Sequence, residues 1–83
     1  MKEIDLMPDD FIDHFYEQVG KNVKRIREEH GLTQLKLAHA IGHKSVSIIS
    51  RAEIFHKNQR FNLEHLAKIA FVLNVDICEF LKK

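Results

Sequence analysis

Eighty-three residues, 45% hydrophobic and 30% charged, suit one ordinary globular domain and exclude a disordered or fibrous chain. No run approaches a membrane span, Met1 to Pro8 lacks the basic-then-apolar pattern of a signal peptide, and the single cysteine cannot form an internal disulfide, so a cytoplasmic protein is expected. The net charge of +1 divides into −5 over residues 1–20, where Lys2 stands against six acids, and +6 over residues 21–83, where twelve Lys or Arg stand against six. A core this small is marginal, and pairing with a second copy would help it.

Lys2 to Leu6 alternates polar and apolar residues, which predicts a short strand or an extended arm. Met7-Pro8-Asp9-Asp10 reads as a helix start, because proline tolerates a first helical turn and carboxylates there complement the helix dipole. Phe11, Ile12, Phe15, Tyr16, Val19, Val23 and Ile26 then recur at helical spacing, predicting a helix from about Asp10 to His30 with Gly20 as a candidate break. Next come two short helices. Thr33 can cap the first, whose Leu37, Ala38 and Ile41 share a buried face and which Gly42 stops. Ser45 can cap the second, which has only Ile49 and Ala52 as a buried seam, so Val46, Ser47, Ser50 and Arg51 point elsewhere. A helix held by one edge and presented by the other suits reading of a groove. Ile54 to Asn62 reads as a polar, basic loop. Asn62 can cap a further helix with the buried stripe Leu63, Leu66, Ile69, Ala70 and Leu73, which Asn74 can stop. Asp76 opens a last short helix with Ile77, Phe80 and Leu81 as its apolar face, and Cys78 beside them reads as a small core residue.

From Leu32 to Glu53 the chain resembles the helix-turn-helix domain of the lambda-repressor-like, Xre-type (Cro-like) DNA-binding family. The residues that carry the resemblance are Gly31-Leu32-Thr33-Gln34, Leu37-Ala38, Gly42, Ile49-Ser50, Glu53 and the later Leu66-Ala67-Lys68-Ile69-Ala70. It covers Val19 to Leu81 and implies an all-α, five-helix domain over residues 19–83, with residues 1–18 added as an acidic extension made of an arm and a helix. Two departures stand out. One extra residue lies between Gly42 and the Ile-Ser pair, so either the turn is longer or the third helix begins a residue late. The family's glycine after Glu53 is also replaced by Ile54 and Phe55.

The resemblance implies a sequence-specific transcriptional regulator, a repressor, bound as a homodimer to a two-fold related site on double-stranded DNA. Gln34 falls where the family uses a glutamine to touch the phosphate backbone and brace the recognition helix. Lys44 and Ser45 in the turn, and Lys57 and Arg60 in the loop, would add phosphate contacts. Val46, Ser47, Ser50 and Arg51 are the base-reading candidates. Arg51 can take both acceptors of a guanine, Val46 can pack on a thymine methyl and Ser47 can bond to several base edges. Alternatively, Arg51 meets a phosphate or bridges to an acid. Glu53 is read as structural. Phe11, Phe15 and Tyr16 either cover their own core or join two copies, and the second is adopted, making residues 1–18 a dimerisation element. A rival from another class is an antitoxin-like or assembly protein whose N-terminal segment binds a protein partner. Six histidines invite a metal reading, but Gly42 separates His39 from His43 and nothing completes a four-ligand set. No metal, cofactor or enzymatic activity is expected, since the chain has no phosphate-cradling glycine loop, no nucleophile elbow and too little length to enclose a pocket.

Overall fold

Local chemistry sets most helix ends in the computed structural model, which describes residues 1–83 as helices and turns with no strand. Four α-helices form: α1 (Phe11–Glu29), α2 (Gln34–Ala40), α3 (Ser47–Glu53) and α4 (Leu63–Leu73). The Thr33 hydroxyl accepts the Lys36 N–H at 3.1 Å and starts α2. Asn62 starts α4 in a reciprocal box, its Oδ1 accepting the His65 N–H at 2.7 Å while His65 Nδ1 accepts the Asn62 N–H at 3.1 Å. After α2, Gly42 takes φ +89°, and after α4, Asn74 takes φ +54°, the left-handed stops expected there. At α3 the Ser45 hydroxyl accepts the Ser47 N–H at 3.2 Å, and Val46 already has helical dihedrals. The extra residue of this chain is thus absorbed in a turn that runs from Ile41 to Val46.

Several expectations need correction, among them Leu63, which is exposed and lies outside the buried stripe of α4. Lys2 to Leu6 forms neither strand nor extended arm, because Ile4–Leu6 is one 3₁₀ turn that buries nothing. The expected fifth helix is a 3₁₀ segment, Ile77–Leu81, leaving four α-helices. Three residues per turn align Ile77 with Phe80 and rotate Cys78 outward, so the thiol is exposed rather than part of the core. Gly20, moreover, does not break α1, and the division at residues 18 and 19 falls within this one helix.

Gly20 is small for a tertiary reason. A Cβ there would lie 2.6 Å from the carbonyl oxygens of both Ala52 and Glu53, so α1 and the end of α3 approach as closely as a bare Cα permits. Gly20→Ala should therefore lower stability by about 1 to 3 kcal/mol through overpacking, although alanine is favoured over glycine in a helix by about 1 kcal/mol. Urea unfolding checks this, and a stabilised variant would mean that the two helices separate freely. Around this crossing Val19, Val23 and Ile26 of α1 meet Leu37 and Ala38 of α2, Ile49 and Ala52 of α3, Leu66 and Ile69 of α4, and the fully buried Phe80. The Asn22 amide donates to the carbonyls of Phe80 at 2.9 Å and Lys82 at 2.6 Å, tying the last segment onto α1.

Candidate nucleic-acid interface

Helix α3 has a short apolar seam, so packing alone would fix it poorly. Ile49 and Ala52 are buried, Ile48 is half-buried, and a polar clamp supplies the rest. Glu53, whose side chain has no exposed surface, receives Arg27 Nε at 2.7 Å, Arg27 Nη2 at 3.1 Å and Gln34 Nε2 at 2.9 Å. Arg27 also donates to the Leu32 carbonyl at 2.7 Å. Both carboxylate oxygens are thus satisfied, and the hydrogen bond that Arg27 donates to Glu53 pushes the Arg27 pKa above its ordinary value. Helices α1, α2 and α3 meet at one buried ion pair.

Arg27 escaped the sequence reading. Its signal was present, because Arg27 lies four residues after Val23 and eight after Val19, on the buried stripe of α1, where a charge needs a buried partner. Gln34 is half-buried, with its Nε2 donating to Glu53.

The outer side of α3 is left unoccupied. Val46 and Arg51 are exposed, Ser47 and Ser50 are half-buried, and Arg51 enters no ion pair or side-chain hydrogen bond. The Ser47 hydroxyl lies 2.9 Å from that of Ser45. In the turn, Lys44 and Ser45 are exposed, with Lys44 making no ion pair. Lys57 is exposed in the loop, where Phe55, Lys57 and Asn58 all take positive φ. At φ +53° Phe55 occupies the left-handed region that the missing family glycine would enter freely, at a cost of about 1 to 2 kcal/mol. Its ring offsets some of this by stacking on Tyr16 at 6.2 Å and 3°. The Arg60 guanidinium also lies over the Tyr16 ring, 4.5 Å from its centroid. Of the three residues expected to join two copies, Phe11 and Phe15 are exposed, whereas Tyr16 is half-buried and engaged within its own chain by Phe55, Arg60 and the edge of Phe15.

Among the histidines, His43 and His65 pack edge to face at 5.8 Å, and no three His, Cys, Asp or Glu side chains converge as metal ligands would. Burial first, and His43 second, push the His65 pKa below its ordinary 6.5. The folded state therefore holds this proton less tightly than the unfolded chain. The resulting stability is present above the ordinary value and is lost as the pH falls through the depressed one. Between about pH 7 and pH 5 the urea midpoint should fall. His65→Gln, which keeps a capping acceptor, should flatten that fall, and an unchanged slope would show that His65 does not carry it.

No helix is long and apolar enough to cross a membrane. Comparison with curated proteins gives no match. Among solved structures the fold is similar to the high-resolution crystal structure of the restriction-modification controller protein C.AhdI from Aeromonas hydrophila, with a TM-score of 0.68 and 25% identity over 78% of this chain and 94% of that one. The helix-turn-helix family model matches residues 23–80, which takes in the Arg27–Glu53 clamp, both helices of the motif and the stripe of α4. The chain belongs to the lambda-repressor-like, Xre-type helix-turn-helix family of DNA-binding transcription regulators.

Proposed function

We propose that the protein is a cytoplasmic, non-enzymatic, sequence-specific regulator that binds a two-fold related operator as a homodimer and represses by occupying it. The observation that carries this reading is the division of α3 into an inner edge locked by Glu53, Ile49 and Ala52 and an outer edge where Val46, Ser47, Ser50 and Arg51 keep exposed surface, the Ser47 side chain bonding only to the neighbouring Ser45. On this reading Val46, Ser47, Ser50 and Arg51 read bases, and Gln34, Lys44, Ser45, Lys57 and Arg60 contact phosphates. Likeness to a controller protein supports transcriptional control. The exposed Phe11 and Phe15 support pairing, with Tyr16 backing them from within.

Selection of bound sequences from a random DNA pool tests the reading. A two-fold consensus is expected, and a pool recovered without sequence preference would overturn it. Affinity should fall as salt rises, because lysines at phosphates release counterions. Neutralising Lys44 or Lys57 with glutamine removes one phosphate contact per half-site and should lower the salt slope of the dimer by about two units while leaving the preferred sequence unchanged. A slope that does not move would remove that lysine from the phosphates.

The antitoxin-like or assembly reading draws on one observation, that residues 1–15 are all exposed and include Ile4, Leu6, Phe11 and Phe15. Sizing of the purified protein separates the two. A dimer that selects a two-fold site supports the regulator, and a monomer with those residues uncovered supports a protein partner.

A further inference from the structure

Phe11 and Phe15 open, with Val19 and Leu81, onto a groove of about 460 Å³ beside α1. Asp10 and Lys83 line it as well. These two charges belong at opposite ends. Asp10 precedes the first turn of α1, whereas Asn22 holds the Lys82 carbonyl twelve residues further along the chain. At 1.5 Å per residue those levels stand roughly 18 Å apart, with Phe15 near the midpoint. Between the two charges the groove is lined by Phe11, Phe15, Val19 and Leu81 together with the polar His14 and Gln18.

We infer that its occupant is the same groove of a second copy, crossing antiparallel about a two-fold axis near Phe15. This rests on the homodimer reading above and adds its geometry. In a two-fold contact one patch meets its own reverse. Reversal sets each Asp10 against the partner's Lys83, Phe11 against the partner's Val19 and Leu81, and Phe15 against its own equivalent. Both ends then attract. A parallel pairing would instead set each Asp10 against the partner's Asp10 and each Lys83 against the partner's Lys83, and like-charge repulsion at both ends opposes it.

The test uses Asp10→Lys and Lys83→Glu in the full chain, with sedimentation at low salt and circular dichroism to confirm the fold. Both side chains are exposed, and the only partner of Asp10 is His14 at 3.5 Å. Each variant alone reverses two symmetric contacts, so its dimer should weaken about ten- to a hundredfold. An equimolar mixture should recover dimer, because one contact becomes Lys–Glu and the other remains Asp–Lys. Rising salt should level these differences. The geometry is overturned if Asp10→Lys tightens the dimer, as relief of tip-on-tip repulsion would, or if the mixture is no better than its components. A native dimer indifferent to both variants also overturns it, while leaving the homodimer reading standing with its contact elsewhere. A native protein that stays monomeric with and without its DNA site overturns both.

Discussion

Glu53→Ala is expected to cost about 3 to 5 kcal/mol, enough to unfold much of the population at 37 °C. The carboxylate is the common acceptor for Arg27 and Gln34, so its loss leaves a buried guanidinium without a counter-charge and an amide without an acceptor. For a domain of this size the thermal midpoint should drop by more than about 10 °C. The compensated pair Arg27→Met with Glu53→Leu should recover much of the loss, since replacing both charges with apolar groups removes the desolvation cost along with the attraction. Calorimetry on the single and double variants measures both quantities. A loss below about 1 kcal/mol would mean that water replaces the carboxylate and that the clamp does not hold α3. DNA affinity offers a second readout, because the double variant restores stability without restoring the hydrogen bond that Gln34 donates to α3.

Arg51→Ala acts on binding and leaves folding intact, because its side chain is exposed and bonded to nothing in the protein. Loss of a bidentate contact to guanine costs about 1 to 3 kcal/mol, and a two-fold operator counts it twice. Preference at one base position of each half-site should relax together with affinity. Binding titrations on the selected site and on its single-base variants separate the possibilities. Uniform weakening on every sequence would make Arg51 a phosphate residue.

What was legible in the sequence was what short-range chemistry decides. Thr33, Asn62, Gly42 and Asn74 act within a few residues of themselves, and each does what its side chain or permitted φ allows. The seam of Ile49 and Ala52 was legible too, because periodicity identifies a buried edge and the edge opposite to it. Gly20 was read from its local helix cost, yet what selects it is the backbone of α3, far along the chain. Arg27 meets Glu53 across 26 residues, a separation at which no spacing rule applies. Cys78 was misplaced because α periodicity was applied to a segment that winds three residues per turn. Tyr16 looked like its neighbours Phe11 and Phe15, and only the left-handed turn at Phe55 brings a second ring over it.

Because α1 is unbroken from Phe11 to Glu29, the exposed rings near its start and the Arg27 clamp near its end belong to one rod about 28 Å long. No flexible tether intervenes. Under the proposed pairing, the distance and twist between two recognition helices are properties of the protein, fixed before DNA is met. Each added base pair moves a half-site by about 3.4 Å and turns it by about 35°, and a rod without a hinge follows neither change. The chain would then measure the gap between half-sites as stringently as it reads the bases within them.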